Sequence, residues 1–342
     1  MGQITDAAVF SCVPYTQTTG AHQCLILTNP YQGTAKIFDV TDNQFVLSPI
    51  GYFPLVVKVG QAPSKMAAIN NRIFTLDPVA QAIYEIPTSF VSPFSNNPIP
   101  VGFSANDFAL ATDAQGKIVA FVSRTEGLTQ IALEGQALPQ GFSLPGPIDL
   151  FEINLTRSFL LVAHGTTLTV VDLLHADAQK TLSLTASVAS MTSDSTKALL
   201  ALTDKTLIMV DLANAKIEST APAKLDAIAG AVYLPSNLPG TPSTCCNGEA
   251  SWVGALLMNG TLQYWPYANQ TFKTPQSVDI VLTTGVGSFA LTNPTKLLGG
   301  DVQNPVQDGL SCERRLFLIY SGSIFNTCEG NSNIKRVDQM EY

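Results

Sequence analysis

The stretch Ser187–Asp226, SVASMTSDSTKALLALTDKTLIMVDLANAKIESTAPAKLD, decides the fold. Its pattern predicts four short strands joined by tight turns: Val188–Thr192, Ala198–Leu202, Thr206–Asp211 and Lys216–Thr220. The second strand is an apolar run too short for a helix, the third is rich in β-branched and apolar residues, and the fourth is more polar. This order indicates a sheet that is buried at one edge and exposed to solvent at the other. Because one such sheet cannot bury its own faces, the chain must pack sheet against sheet.

The same pattern recurs along the whole chain, and successive first strands start roughly 40 residues apart, or nearer 60 where a loop has grown. The predicted first strands are Asp6–Cys12, Lys65–Asn70, Asn106–Thr112, Ile148–Asn154, Val188–Thr192, Ala229–Leu234 and Gly287–Thr292. The predicted third strands are Ala35–Val40, Gln81–Ile86, Leu128–Leu133, Thr167–Asp172, Thr206–Asp211, Thr261–Trp265 and Ser323–Thr327. Repeats of this length, each a small antiparallel sheet, are typical of propeller blades.

The sequence therefore predicts an all-β protein, a seven-bladed β-propeller of four-stranded antiparallel blades that forms a single domain over residues 1–342. We expect the N-terminal residues Gln3–Thr5 to close the ring as the outer strand of blade seven. The seven predicted repeats span residues 4–61, 62–103, 104–146, 147–186, 187–226, 227–284 and 285–342.

The segment Cys24–Gly60 resembles the repeat of the YVTN-type seven-bladed β-propellers, which reads strand, Asn, strand ending in Val-Asp, polar turn, strand and Gly-x-x-Pro. Asn29, Asp39 and Gly51–Pro54 occupy comparable places in this chain. The resemblance implies an extracytoplasmic bacterial propeller, because most members are surface-layer, lipoprotein or other extracytoplasmic modules. Relatives include lactonases and quinoprotein dehydrogenases, and the fold alone does not select among these functions.

The composition predicts a protein with a large core and excludes two classes of partner. Hydrophobic residues make up 46% of the chain and charged residues 13%, so disorder is excluded. The net charge of -8 argues against nucleic acid and against anionic membrane surfaces. No apolar run reaches the ~18 residues of a transmembrane segment, and the N-terminal stretch has no signal-peptide pattern.

The cysteines point to an oxidising compartment. They are expected to form three disulfides: Cys12–Cys24, Cys312–Cys328 and the vicinal pair Cys245–Cys246, with each member of the vicinal pair bonding elsewhere as an alternative. Metal binding is the competing interpretation, but the chain lacks a C-x-x-C motif. Disulfides predict an extracytoplasmic protein, either periplasmic, secreted or at the cell surface.

The loop between the first and second strands is predicted to be long in three repeats, namely Val13–Gln23, Pro235–Ser251 and Asn293–Arg314 of repeats one, six and seven. These repeats are neighbours in a closed ring, so the loops would gather on one side of one face. Long ordered loops on a rigid scaffold are common binding surfaces, although tolerated surface insertions are an equal alternative. The predicted binding residues in this sector are Tyr15, Cys245, Cys246, Trp252 and Arg314.

No catalytic residues and no metal ligands are predicted, because the chain carries no hydrolase, zincin, P-loop or dinucleotide motif. Five carboxylates on or beside first strands would line a propeller channel: Asp6, Asp107, Asp149, Glu152 and Asp226. They suit Ca²⁺ chemically, but the favoured interpretation is that they accept hydrogen bonds between blades or line a solvated channel wall.

Two functions remain. The favoured one is a non-catalytic module that binds a partner protein or belongs to a larger assembly. The alternative is an enzyme or metal-binding propeller with a lactonase-like or quinoprotein-like site in the channel, and this alternative leaves a small-molecule ligand open.

Overall fold

The structure, a computed structural model, describes the backbone of about three quarters of the chain. The described residues are 6–12, 22–39, 44–45, 56–69, 72–86, 97–113, 115–124, 127–134, 140–142, 147–154, 158–175, 179–221, 225–234, 251–279, 281–284, 287–290, 296–306, 309–320, 323–330 and 333–340. Every regular element within these ranges is a β-strand, as the sequence predicts.

The strands follow each other in antiparallel order within small sheets, which we number along the chain. Sheet 1 holds β1 (Ala7–Cys12), β2 (His22–Asn29), β3 (Thr34–Asp39), β4 (Gln44–Phe45) and β5 (Val56–Lys58). Sheet 2 holds β6 (Lys65–Ile69), β7 (Arg72–Asp77), β8 (Ala82–Ile86) and β9 (Pro98–Pro100). Sheet 3 holds β10 (Phe108–Thr112), β11 (Ile118–Arg124), β12 (Gly127–Ala132) and β13 (Gln140–Phe142). Sheet 4 holds β14 (Leu150–Ile153), β15 (Phe159–His164), β16 (Thr167–Asp172) and β17 (Gln179–Ser183).

The later sheets follow the same order. Sheet 5 holds β18 (Val188–Ser193), β19 (Lys197–Leu202), β20 (Leu207–Asp211) and β21 (Lys216–Thr220). Sheet 6 holds β22 (Ile228–Leu234), β23 (Ser251–Leu257), β24 (Thr261–Ala268), β25 (Thr271–Phe272) and β26 (Gln276–Asp279). A two-stranded hairpin pairs β27 (Val281–Thr284) with β28 (Gly287–Ala290). Sheet 7 holds β29 (Lys296–Val306), β30 (Gly309–Tyr320), β31 (Ser323–Gly330) and β32 (Asn333–Met340).

Sheets 1 and 6 contain five strands rather than four. In each, two short strands share the place of the fourth strand. β4 and β5 both pair with β3, and β25 and β26 both pair with β24. The four-position blade predicted from the sequence is therefore kept in both sheets.

The end of the chain differs from the sequence prediction. Gly287–Thr292 was expected to be the first strand of the last repeat, but residues 287–290 form β28 of the separate hairpin. The first strand of sheet 7 is β29, and β30 follows it closely, so the predicted loop Asn293–Arg314 is largely strand. Gly299-Gly300 and Asn304-Pro305 lie within β29, and such turn-type residues hide a strand from a sequence pattern.

The outer strand of the last sheet also differs from the sequence prediction. β32 holds the place that was assigned to the N-terminal strand. Residues 3–5 lie outside the described part of the chain.

The hydrophobic core lies between successive sheets, and sheet 5 shows how the sequence produces it. Side chains alternate across β19, because the period of a strand is two residues. Ala198, Leu200 and Leu202 pack with sheet 4, whereas Leu199 and Ala201 pack with sheet 6. All five are buried, and a buried leucine contributes about 1.5–3 kcal/mol to folding.

Three further clusters repeat this arrangement between neighbouring sheets. The chain divides into two compact units, residues 1–147 with 302–304, and residues 148–301 with 305–342. Within unit 1, clusters join sheet 1 to sheet 2 and sheet 2 to sheet 3. Within unit 2, clusters join sheets 4, 5, 6 and 7 in order. The first strands of successive sheets lie beside one another, β1 with β6 and β6 with β10 in unit 1, and β14 with β18 and β18 with β22 in unit 2.

Candidate functional site

The predicted binding residues do not form one described site. Tyr15, Cys245 and Cys246 lie outside the described residues. Arg314 lies within β30 rather than in a loop. Trp252 lies in β23 and is only 5% exposed, with its ring 5.3 Å from that of Tyr264. Trp252 therefore stabilises the core of sheet 6 and offers no exposed ring for a partner.

The strand register bears on two of the predicted disulfides. β1 and β2 pair Phe10 with Cys24 and Cys12 with His22, so Cys12 and Cys24 are diagonal neighbours on one face of sheet 1. In sheet 7, Cys328 pairs with Arg315, and Cys312 lies three residues further along β30. Three residues of strand span about 10 Å, which exceeds the Cα separation of a disulfide. This register disfavours the Cys312–Cys328 bond.

The connection between the first and second strands is long in two of the described sheets. In sheet 1 it spans residues 13–21, and in sheet 6 it spans residues 235–250. The matching connections in the other sheets are short: 70–71, 113–117, 154–158, 194–196 and 307–308. The sequence prediction thus agrees with the strand bounds for repeats one and six and is wrong for repeat seven.

Three of the five first-strand carboxylates form contacts between sheets. Asp6 is buried, and its Oδ2 accepts a hydrogen bond from the Met66 amide of sheet 2 at 2.7 Å. Glu152 of sheet 4 accepts one from the Ser193 hydroxyl of sheet 5 at 2.6 Å. Asp107 of sheet 3 lies 4.0 Å from the Lys65 ammonium of sheet 2.

The other two carboxylates accept hydrogen bonds from residues of their own sheets. Asp149 accepts a hydrogen bond from the Gly165 amide, and Asp226 from the side chain of Asn259. Within the described part of the chain, no group of three or more His, Cys, Asp or Glu side chains is placed to hold a metal ion. Asp6 and Glu152 thus accept hydrogen bonds between neighbouring sheets, as the favoured interpretation of the sequence predicts, and Asp107 forms an ion pair between sheets.

A polar cluster joins sheets 5 and 6. The Lys197 ammonium is paired with both carboxylate oxygens of Glu218, and it lies 5.9 Å from the centre of the Tyr267 ring. The Tyr267 hydroxyl donates to Glu218 at 2.6 Å and lies 3.0 Å from the Ser219 hydroxyl. Burial, and then the hydrogen bond to Glu218, raise the pKa of Tyr267 well above its usual value. The phenol therefore stays protonated and serves as a donor to the carboxylate.

A second cluster joins sheets 2 and 3. The Arg72 guanidinium forms two hydrogen bonds with Glu85, at 2.6 and 2.8 Å, and also pairs with Glu134. It lies 5.2 Å from the ring of Phe74. The hydrogen bond from the Ile118 amide, together with Arg72, lowers the pKa of Glu134. In both clusters a cation at the start of a second strand pairs with a carboxylate of its own sheet, and the contact with the next sheet is made by the Tyr267 hydroxyl in one cluster and by Glu134 in the other.

Two tight turns in unit 1 have the same construction. At residues 29–33, Asn29 Oδ1 accepts the amides of Tyr31 and Gln32 at 3.1 and 3.3 Å. At residues 77–81, Asp77 Oδ1 accepts the amides of Val79 and Ala80, both at 2.9 Å. Each turn begins Asx-Pro and ends with a residue at positive φ, Gly33 or Gln81. The turns connect the second and third strands of sheets 1 and 2.

One connecting segment, residues 56–62, ties these two turns together. The Lys58 ammonium donates to the Gln32 carbonyl, and the Val59 amide donates to the Gly33 carbonyl, each at 2.9 Å. At the other end of the segment, the backbone amides of Gln61 and Ala62 donate hydrogen bonds to Asp77 Oδ2. A side chain at position 60 would collide with that oxygen, so Gly60 lets the backbone approach the carboxylate.

The same chain of contacts continues to sheet 3. The amides of Val101 and Gly102 donate to the Gln81 carbonyl, at 2.8 and 3.4 Å. The next residue, Phe103, lies under the Arg124 guanidinium, with 4.8 Å between the guanidinium carbon and the ring centre. We use the name turn surface for residues 29–33, 56–62, 77–81 and 101–103 together with Arg124.

Comparisons with known proteins identify the class of fold. The chain is a β-propeller: solved structures of that class align over nearly its whole length. No protein-family model matches the sequence, and no curated protein matches it either. Among the described residues, no helix is long and apolar enough to cross a membrane.

Three solved structures illustrate the similarity. Hsv2 of Kluyveromyces lactis aligns with a TM-score of 0.63 and 9% identity, covering 100% of both chains. BBS1N in complex with ARL6DN aligns with a TM-score of 0.61 and 10% identity, covering 97% of this chain and 95% of that one. The WD40 propeller domain of Doa1 aligns with a TM-score of 0.54 and 11% identity, covering 96% and 97%. Identities this low show the fold alone.

Proposed function

We propose that the protein is a non-catalytic interaction module, an extracytoplasmic β-propeller that binds a partner protein or forms a subunit of a larger assembly. The observation that carries the proposal is the length of two first-to-second strand connections, residues 13–21 and 235–250. Long connections on a rigid sheet scaffold are where binding residues concentrate. The similar fold of BBS1N, which was crystallised in complex with ARL6DN, supports this interpretation as an analogy of fold.

The proposed ring has seven blades, in which repeats six, seven and one are neighbours. Sheet 7 contributes no long first-to-second strand loop, so the proposed binding loops are those of repeats one and six. The resemblance of Cys24–Gly60 to the YVTN-type repeat supports an extracytoplasmic role. Tyr15, Cys245 and Cys246 remain the predicted binding residues of these loops.

We expect a loop-shortened variant to lose its partner. The variant replaces residues 235–250 by a short turn between β22 and β23, which leaves both strands intact. Wild-type protein should retain a stoichiometric partner from the native extracytoplasmic fraction, and the variant should retain less than about a tenth of it, because the contact residues are gone. Equal retention by the two forms would contradict the assignment of the binding face.

The proposed Cys12–Cys24 disulfide would hold the first loop at its base. Its support is that Cys24 is fully buried and that Cys12 lies on the paired strand, two residues beyond Phe10, the direct cross-strand partner of Cys24. Closing a loop of this size contributes about 2–3 kcal/mol to stability, and such bonds persist in oxidising compartments. The Cys245–Cys246 bond stays a prediction.

Alkylation of unfolded, unreduced protein should leave Cys12 and Cys24 unmodified, and a mass spectrum of the digest should contain their linked peptides. Reduction should make both thiols reactive and lower the stability by the amount given above. Complete alkylation of both cysteines before reduction would contradict the bond, and with it this argument for an extracytoplasmic location.

A further inference from the structure

We propose that the turn surface of unit 1 is a second docking site, and that its occupant is a peptide segment of a partner protein in which apolar side chains alternate with carboxylates. This site is separate from the two long loops on which the proposed function rests. β2 runs from the loop 13–21 at His22 to the turn at Asn29, so the two features lie at opposite ends of sheet 1.

The first observation is the exposure of large apolar side chains on this surface. Tyr31 is 78% exposed and Val79 is 63% exposed, each near the tip of its turn, and Val56 of the connecting segment is 49% exposed. Only two other large apolar side chains are exposed in the described part of the chain, Leu174 and Met258 in unit 2. Single exposed apolar residues are ordinary, but three on one bonded framework form a candidate interaction site.

The second observation is that this framework is already ordered. The Asx hydrogen bonds fix both turn tips, and residues 56–62 bond to both turns. A partner would therefore find Tyr31 and Val79 presented in fixed backbone positions. Binding then costs little conformational entropy on this side of the interface, which favours a small interface built around two apolar anchors.

The third observation is the charge of the surface, which is opposite to that of the whole protein. Lys58 and Arg124 are exposed, while Asp77 is buried and its two oxygens accept four backbone amides. Asp107, beside Arg124 in the fold, is already paired with Lys65. The described part of the surface is thus locally cationic on a chain of net charge -8.

Charge complementarity selects the occupant. Carboxylates flanking the apolar side chains would pair with Lys58 and Arg124, whereas a basic or uncharged segment would gain nothing from these cations. Arg124 lies over the Phe103 ring, and one of its terminal nitrogens donates to the Thr129 hydroxyl at 3.4 Å. These two contacts fix the plane of the guanidinium, and its remaining donors suit a carboxylate. The turn surface therefore fits an acidic, apolar segment.

The test is a selection of random 12-residue peptides displayed on phage, with the purified full chain as target at low salt. We expect the enriched peptides to combine Asp or Glu with aromatic or aliphatic residues. A synthetic peptide of the enriched sequence should bind the Y31S/V79S variant at least about tenfold more weakly than wild type, and added salt should weaken its binding to wild type.

Two controls make the result specific. Leu174→Ser changes an equally exposed apolar residue of unit 2 and should leave the affinity unchanged. The variant with shortened residues 235–250 should also bind normally, so failure of the loop proposal and failure of this one are distinguishable. Melting curves of all variants check folding. The proposal is overturned if no acidic, apolar sequence is enriched, or if the enriched peptide binds Y31S/V79S as tightly as wild type.

Discussion

Replacing Asp77 by asparagine should lower the free energy of unfolding by about 2–4 kcal/mol. Both oxygens of Asp77 accept backbone amides, two from its own turn and two from residues 61 and 62, and the side chain is completely buried. An asparagine offers one oxygen and one NH₂ group. In either orientation, its NH₂ faces two N–H donors and leaves them without an acceptor, which costs about 1–3 kcal/mol for each buried group.

Asp113→Asn is the matched control. Asp113 caps a turn in sheet 3, where it is partly exposed, and its Oδ1 accepts hydrogen bonds from the amides of Gln115 and Lys117 at 2.9 and 2.8 Å. Because asparagine keeps that oxygen, Asp113→Asn should change the free energy of unfolding by no more than about 0.5 kcal/mol. Urea unfolding should be followed by far-UV circular dichroism, because both tryptophans, Trp252 and Trp265, lie in unit 2. Equal midpoints for Asp77→Asn and wild type would refute the fourfold role of this carboxylate.

The repeats could be predicted from the sequence because strand patterns are local. The stretch 187–226 forms β18 to β21 within one or two residues of the expected bounds, since its apolar strands and turn residues agree with one another. The third strands of all repeats were also confirmed. In β29, local signals conflict with the fold: Gly299-Gly300 and Pro305 predict turns, and pairing within sheet 7 overrides them.

The site residues were harder to predict because they depend on contacts between distant parts of the chain. Trp252 was predicted as a binding residue because it is an aromatic residue near the long loops, but it lies in a strand and is buried. The turn surface left a signal that could have been found: Asn29-Pro30 and Asp77-Pro78 are Asx-Pro turns followed by an apolar residue. No local pattern relates Tyr267 to the pair Lys197–Glu218, because only the packing of sheet 5 on sheet 6 brings the phenol to that ion pair.

Replacing Lys197 by methionine is the second change with a large expected effect. It should lower the free energy of unfolding by about 2–3 kcal/mol. The Glu218 side chain is 8% exposed, and without the ammonium its described charge partner is gone. Removing one partner of a fully buried ion pair costs about 3–5 kcal/mol, and the 23% exposure of Lys197 reduces this figure. Lys216→Met, a change of the same kind on the exposed start of β21, should stay within about 0.5 kcal/mol.

A second substitution tests the cause. In the Lys197→Met background, Glu218→Gln removes the unpaired charge and keeps an oxygen that accepts the Tyr267 hydroxyl. The double variant should therefore be more stable than Lys197→Met alone, whereas Glu218→Gln in the wild-type background should be destabilising because it breaks the ion pair. This change of sign is a coupling that additive effects cannot produce. Urea unfolding followed by tryptophan fluorescence suits this comparison, because the Trp265 ring packs against Phe272, which also contacts Tyr267. If Glu218→Gln destabilises the variant further, the cluster acts through packing and not through compensation of the Glu218 charge.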